Sequence, residues 1–198
     1  GPTLHILRWN DFVPAADKIW REEFVPVTAK VLGIKLQVET INANDIPARA
    51  TSAIQSGNGP DIIMLLNNYP HLYASSAVDV GDIAEEVAKA QGGIYPASQQ
   101  LNKVGNQWVA MPWSVVPALV AYRKSWFDAA GIKEFPKTWA QYHEAGKKLK
   151  AAKRPIGQTL GNTFGDAPTF TYPLMWSYGG QEIDAKGKPI VDSKDTVE

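Results

Sequence analysis

Cysteine is absent from the 198-residue sequence. This absence excludes a disulfide framework, cysteine-ligated zinc and a cysteine nucleophile. An excess of charge is missing as well, because 20 Lys and Arg residues balance 20 Asp and Glu residues. Counterion release from phosphates needs a basic surface, so no nucleic-acid partner is expected. Long apolar runs are also missing, since runs such as residues 62–66 are strand-sized and a membrane helix needs roughly 18 residues.

The usual catalytic and phosphate-binding motifs do not occur in the sequence. There is no G-x-S-x-G, G-x-x-x-x-G-K-[ST], H-E-x-x-H or G-x-G-x-x-G pattern. The three histidines, His5, His71 and His143, belong to separate predicted elements, so no pair has metal-ligand spacing. We therefore expect neither a metal nor a cofactor, and we predict that the protein is not an enzyme. A carbohydrate-acting enzyme stays open as an alternative, because the separation of scattered carboxylates cannot be read from a sequence.

Strands and helices alternate in the first third of the chain. Residues 4–9 and 34–41 have strand patterns, and the continuous apolar run 62–66 is typical of a parallel strand covered on both faces. Between them, the apolar spacing predicts a helix from Asp17 that is kinked or split at Pro26. Asp45 is expected to cap a second, shorter helix, and Gly33 and Gly57 to end the two helices. This alternation predicts an α/β fold with a doubly wound parallel sheet.

The rest of the chain is predicted to be mostly helical. Residues 69–101 contain helices interrupted at Gly92-Gly93, and residues 104–112 are predicted to form a hairpin. Residues 115–122 form another extended run, which Pro117 places near a sheet edge or at a crossing between lobes. Further helices are expected near Ser125–Asp128, after the capping box of Thr138 and Gln141, and over residues 168–178. Asp192-Ser193 resembles a helix cap followed by a single turn, which is too short to be stable, so we expect the natural chain to continue.

Amide and aromatic side chains accumulate directly after the predicted strands. Open parallel sheets bind ligands at the carboxyl ends of their strands. Asn and Asp offer donors and acceptors to hydroxyl groups, and Trp and Tyr offer flat apolar faces to a sugar ring. These positions are Trp9-Asn10-Asp11, Asn42, Asn44, Asp45 and Asn67-Asn68-Tyr69, with Trp113 and Ser114 near the predicted crossing. The alternative interpretation makes the amides turn formers and caps, and makes Trp113 a core residue.

Several runs, in chain order, resemble the bacterial ABC-transporter extracellular solute-binding proteins of family 1, which are relatives of maltose-binding protein. The runs are GNGPDII at residues 57–63, GNQWVAMP at 105–112, YRKSWF and AAG within 119–131, PKTW at 136–139, and YPL with GG within 172–180. The PKTW run is the most specific of these matches. Together the runs cover nearly the whole chain.

The resemblance implies a fold of the periplasmic-binding-protein type II class, with two α/β lobes, a hinge crossing and solute held between the lobes. Residues 3–115 would be the first lobe, and residues 116–198 the crossing and a second lobe that is incomplete in this chain. Gly1-Pro2 is interpreted as the remnant of a cleaved tag. The resemblance also implies export to the periplasm or cell exterior, with the signal peptide absent here. The expected partners are a membrane ABC permease and the missing C-terminal half of the same protein.

We therefore expect the binding component of an ABC importer for a sugar or polyol. Family relatives of the maltose type carry charged residues where this chain has Asn67-Asn68-Tyr69 and Val116, and an aromatic residue where it has Thr169. These departures argue against maltodextrin as the ligand. The expected ligand contacts are Trp9, Asn10, Asp11, Asn67, Asn68, Trp113, Ser114, Thr169 and Trp176. A receptor for a charged solute such as a polyamine is the alternative, because Asp11 and Asp45 could bind an ammonium group. Unless a second polypeptide supplies the missing half, the chain is expected to be poorly stable and to bind solute weakly or not at all.

Overall fold

The computed structural model describes residues 1–116, 119–162 and 165–197. It contains two compact units, Gly1–Val116 and Pro117–Glu198. Within the described ranges, no helix combines the length and the apolar character that crossing a membrane requires.

A parallel sheet of three strands forms the centre of the first unit. Its strands are β1 (Thr3–Trp9), β2 (Lys35–Ile41) and β3 (Ile62–Ile63), in the order β2-β1-β3. The register pairs Thr3 with Lys35 and Trp9 with Ile41, so β1 and β2 end together. The predicted parallel sheet is confirmed. Leu7 of the central strand is fully buried.

The third strand is shorter and more exposed than predicted. Residues 62–66 were expected to form a strand covered on both faces, but only Ile62–Ile63 pair with β1. Ile62 is 49% exposed. Among the described residues, β3 has a neighbouring strand on one side only. An edge strand lacks the second row of backbone partners that would keep a longer run extended.

The first helical region is split at its internal proline, as predicted. It consists of α1 (Pro14–Ile19), a π-helical turn over Trp20–Phe24, and α2 (Val25–Leu32). Pro26 has no N–H to donate, so regular α-helical bonding cannot pass through this position. The region begins at Pro14 rather than Asp17 because proline suits the first helical turn. Gly33 ends it with a φ of 64°, as expected.

The cap of the next helix differs from the prediction. Asp45 makes no side-chain capping bond. Instead, Asn42 Oδ1 accepts a hydrogen bond of 2.9 Å from the backbone N–H of Asn44. This bond starts a 3₁₀ turn, Ala43–Asp45, which leads into α3 (Ile46–Ser56). The helix begins with a tight turn, so its cap lies three residues earlier than the sequence pattern indicated.

The remainder of the first unit is helical with one small hairpin. Its helices are α4 (Tyr69–Leu72), α5 (Gly81–Gln91) and α6 (Pro96–Asn102). The hairpin strands are β4 (Lys103–Val104) and β5 (Gln107–Trp108), which confirms the predicted hairpin in a shortened form. The predicted extended run 115–122 is not a strand in its described residues, and residues 117–118 lie outside them.

The second unit contains four helices in its described residues. These are α7 (Lys124–Ala129), α8 (Trp139–Ala151), α9 (Pro168–Ser177) and α10 (Lys194–Val197). At the start of α8, Thr138 Oγ1 accepts a 3.2 Å bond from the N–H of Gln141. The Gln141 side chain accepts in turn from the N–H of Lys137 at 2.8 Å, one residue before the expected partner. Phe127, Ala145 and Leu149 are buried in this unit.

Candidate functional site

The loops that follow β1, β2 and β3 lie at one end of the sheet, which we call the carboxyl edge. The backbone N–H of Asn10 donates to the carbonyl of Ile41 at 2.9 Å, so Asn10 lies beside the end of β2. The N–H of Met64 donates to the carbonyl of Leu7 at 2.9 Å. The chain after β3 therefore runs beside the end of β1. The fold brings the predicted residues of these loops to the same edge, as parallel strands require.

Asn67 and Asn68 follow β3 and are both exposed. Asn67 has a φ of 42°, a left-handed conformation that asparagine adopts more readily than most residues. Asn68 precedes α4, but its side chain makes no capping bond. The amide of Asn68 is therefore not used to begin the helix, whereas Asn42 does act as a cap. The cap interpretation fits Asn42 and does not fit Asn68.

An arginine at the end of β1 is buried against the residues that follow this strand, and no sequence pattern indicated it. Arg8 is 7% exposed, and its Nη1 lies 2.8 Å from Asp17 Oδ1. Its Nη2 lies 3.6 Å from Asp11 Oδ2, and its guanidinium carbon is 4.8 Å from the ring centre of Trp20. These partners are three, nine and twelve residues further along the chain, so only the folded chain shows that they meet Arg8.

Trp113 and Ser114 lie in an irregular segment after β5 and are both exposed. Trp113 is 71% exposed, so the alternative that it packs in the core is wrong. An exposed indole face is available for stacking against an apolar ring face. Neither Trp113 nor Ser114 takes part in the two backbone hydrogen bonds at the carboxyl edge.

In the second unit, Thr169 and Trp176 lie on α9, two turns apart. Thr169 Oγ1 donates to the carbonyl of Asp166 at 2.6 Å. Trp176 Nε1 donates to Glu182 Oε2 at 2.9 Å, and its ring lies 5.7 Å from that of Tyr172. The hydroxyl proton of Thr169 and the indole N–H of Trp176 thus already have protein acceptors. Trp176 could still contact a ligand through its apolar ring face, and Thr169 through the lone pairs of its hydroxyl oxygen.

The second unit also contains an aromatic cavity of about 1060 Å³, which sequence reasoning missed. Trp139 lies on its wall, with its Nε1 donating to Ser177 Oγ at 2.6 Å and its ring edge-on to Phe170 at 5.7 Å. The spacing of Trp139 and Tyr142 on α8 was the available signal. The aromatic lining residues include Tyr122, Phe127, Phe135, Trp139, Tyr142 and Phe170.

No cluster of three or more His, Asp or Glu side chains suited to a metal ion occurs in residues 1–116, 119–162 and 165–197.

Residues 9–198 match the family described as bacterial extracellular solute-binding protein. The chain belongs to this family. Within the solute-binding family, it is 32% identical over 130 residues to the diacetylchitobiose binding protein DasA of Streptomyces coelicolor, covering 62% of this chain and 29% of DasA. It is 27% identical over 146 residues to a probable ABC transporter-binding protein of Deinococcus radiodurans, covering 70% of this chain and 34% of that protein. Both relatives are named as binding proteins.

Solved structures confirm the expected fold of the solute-binding family. Maltose-bound MalE3 of T. maritima superposes with a TM-score of 0.79 at 18% identity, covering 100% of this chain and 50% of that one. An ABC transporter solute-binding protein of Thermotoga lettingae, bound with alpha-D-tagatose, gives 0.78 at 20% identity, with 99% and 51% covered. This chain therefore spans about half the length of these structures and about a third of the curated relatives.

Proposed function

We propose that this chain takes part in capturing a sugar or polyol for delivery to an ABC importer in the membrane. Membership of the solute-binding family supports the transport role. The names of three similar proteins contain diacetylchitobiose, maltose and tagatose, and that of a fourth contains ribitol. Export to the periplasm or cell exterior, a membrane permease as partner and the absence of catalysis belong to the same proposal.

The observation that carries the sugar assignment is the set of exposed amides at the carboxyl edge. Asn10, Asn67 and Asn68 are all exposed there. A neutral amide can donate to one hydroxyl and accept from its neighbour, which suits the adjacent hydroxyls of a sugar or polyol. The exposed indole of Trp113 would supply an apolar face for the C–H side of the ring. Thr169 and Trp176 remain proposed contacts of the second unit.

The polyamine alternative receives less support from the carboxylates on which it depends. Asp11 Oδ1 accepts a 2.8 Å bond from the N–H of Val13, and its Oδ2 faces Arg8. An ammonium group at Asp11 Oδ2 would compete with the Arg8 guanidinium for the same carboxylate oxygen. Asp45 is exposed and lies in a tight turn. A neutral solute does not compete with Arg8 for this charge.

A thermal-shift screen of the chain together with the proposed C-terminal half distinguishes the candidate functions. The panel contains diacetylchitobiose, maltose, tagatose and ribitol as neutral solutes, and spermidine as the charged one. A ligand present at a hundredfold excess over Kd stabilises the native state by about 2.7 kcal/mol. We expect stabilisation by a neutral member and none by spermidine. Stabilisation by spermidine alone would establish the charged-solute alternative, and hydrolysis of a saccharide would establish an enzyme.

Substitutions at the proposed contacts test the site assignment. We expect Asn68→Ala and Trp113→Ala each to weaken binding of the stabilising sugar by about fivefold to tenfold, because each removes a direct contact. The matched control is Asn58→Ala, since Asn58 is an exposed asparagine before β3, at the opposite end of the strand. Isothermal titration calorimetry measures the three affinities. Unchanged affinity in both Asn68→Ala and Trp113→Ala would show that the assignment is wrong.

A further inference from the structure

Arg8 is the only charged side chain among the buried residues of the described ranges. Charged side chains are rarely buried unless they are paired, because removing an ion from water is unfavourable. Arg8 has two carboxylate partners, Asp17 at 2.8 Å and Asp11 at 3.6 Å. Both partners lie beyond the end of β1, one in the loop and one in α1. The pairs therefore tie the loop to the helix that follows it.

The same two carboxylates also fix the backbone of the loop. Asp17 Oδ2 accepts from the N–H of Asp11 at 3.0 Å, and Asp11 Oδ1 accepts from the N–H of Val13 at 2.8 Å. Each aspartate thus uses one oxygen for a backbone N–H and turns the other toward Arg8. Residues 10–13, which we call the β1 loop, are held by this network. Two of the proposed contacts, Asn10 and Asp11, lie within it.

We propose that Arg8 is a positioning residue for the solute site, acting through Asp11 without touching the solute. This inference rests on the proposed function. Arg8 is almost fully covered, whereas the Asp11 side chain is 32% exposed. The 3.6 Å separation from Arg8 leaves Asp11 Oδ2 able to accept from a solute hydroxyl. Arg8 pairs with Asp11 and sets its orientation before solute arrives, which reduces the ordering cost of binding.

If Arg8 had a purely structural role, its loss should have the same kind of effect as the loss of another paired arginine of the first unit. Arg49 of α3 offers that comparison, because its Nε and Nη2 donate to the Glu39 carboxylate at 2.9 and 3.1 Å. This pair joins α3 to β2 rather than holding the β1 loop. Loss of either arginine should lower stability, whereas only loss of Arg8 should alter the loop. Arg49→Met is therefore the matched control for Arg8→Met.

The first test needs no solute. NMR measures amide hydrogen exchange, residue by residue, in the unaltered protein and in the three variants Arg8→Met, Arg8→Lys and Arg49→Met. We expect Arg8→Met to speed exchange at Asp11 and Val13 by about tenfold or more, because their acceptors lose the group that orients them. The amide of Met64, bonded to β1, should keep its protection. Arg49→Met should leave Asp11 and Val13 unchanged.

Arg8→Lys provides the conservative comparison and the substitute should Arg8→Met fail to fold. Lysine keeps the charge but lacks the guanidinium fork that reaches two carboxylates. We expect intermediate exchange at Asp11 and Val13. Exchange at both amides that stays at the unaltered level in every folded Arg8 variant would overturn the inference.

The second test is a double-mutant cycle on solute affinity. Calorimetry uses the tightest binder among diacetylchitobiose, maltose, tagatose and ribitol. We expect Arg8→Met to weaken binding by about tenfold in the unaltered background and to have almost no further effect in Asp11→Asn, because both changes remove one coupled interaction. Arg49→Met should lower Tm without changing affinity. Strictly additive effects of Arg8→Met and Asp11→Asn would overturn the inference.

The two tests separate this inference from the function on which it rests. If no sugar of the panel binds the unaltered chain together with the proposed C-terminal half, the proposed function fails, and hydrogen exchange alone decides whether Arg8 fixes the β1 loop. If a sugar binds and both tests show no dependence on Arg8, the function stands and the inference fails.

Discussion

Three asparagines at the carboxyl edge illustrate how one residue type takes different roles. Asn42 uses its side chain as a cap for the N–H of Asn44. Asn67 adopts a left-handed backbone. Asn68 begins α4 with its amide free of any capping bond. The chemistry of the side chain is the same in each case, so the local backbone decides which amide remains available to a ligand.

Also at the residue scale, the pKa of Glu39 predicts how the folding stability changes with pH. The hydrogen bond from Arg49 holds the pKa of the Glu39 carboxyl below its ordinary value of 4.5. Burial raises this pKa in part, and His5 lowers it by a smaller amount. A pKa that is lower in the folded state contributes stability above the unfolded value, and this contribution is lost as pH falls through the folded value. Stability should therefore decline below pH 4.5 in part through this pair.

We expect Glu39→Gln to reduce this acid sensitivity. The urea midpoint of the variant should fall less than that of the unaltered protein between about pH 6 and about pH 3, since glutamine has no proton to gain. Glu85→Gln, a change at an exposed carboxylate of α5, is the control and should keep the unaltered pH dependence. Equal losses of stability in Glu39→Gln and the unaltered protein would contradict the assignment.

At the scale of elements, the boundaries follow from backbone chemistry at a few positions. Pro26 coincides with the change from a π-helical turn to α2. Gly33 and Gly57 end their helices with φ values of 64° and 62°. Side chains with a Cβ are strained in this region of φ, and glycine is not. Gly33 and Gly57 predicted these helix ends correctly, because the φ preference of a glycine is a local property of the backbone.

Gly57→Ala tests the helix-end argument. No neighbouring atom lies within 4 Å of the added Cβ, so the effect should come from φ alone. We expect a loss of about 1 to 2 kcal/mol in the free energy of unfolding. Gly157→Ala is the control, because that site is equally open and its φ is outside the left-handed region. Chemical denaturation measures both, and equal effects would contradict the prediction.

At the scale of the whole molecule, the described residues expose many large apolar side chains. On and beside α2, Phe24, Val27 and Val31 are 59%, 61% and 77% exposed. Helical spacing places them close together on one surface. We call these three residues the α2 patch. Exposed contiguous apolar surface promotes association between molecules.

We therefore expect the 198-residue chain to self-associate in solution, and Val31→Lys to reduce that association. The substitution should change stability by less than about 0.5 kcal/mol, because the site is on the surface. Val109→Lys is the contrast, since the same change at a side chain that is 7% exposed buries an unpaired charge and should unfold the first unit. Light scattering after gel filtration measures the mass. A monomer before and after Val31→Lys would contradict the prediction.

The sequence predicted much of the fold and only part of the candidate site. The parallel sheet, the hairpin, the split helix and the solute-binding family were all predicted and confirmed. The nine predicted ligand contacts and the completion of the second lobe by a further segment stay predictions. The pairing of Arg8 with Asp11 and Asp17 could not be predicted. It depends on how the loop after β1 orients α1 relative to the strand.

What the sequence alone determined was therefore local or family-wide: strand periodicity, glycine and proline breaks, and motif runs such as residues 57–63 and 136–139. These signals act through backbone dihedrals and side-chain alternation, which neighbouring residues set. The tertiary structure decided the length of β3, the burial of Arg8 and the exposure of Trp113. Each of these depends on which distant residues lie alongside, and solvent exposure is a property of that arrangement rather than of the residue.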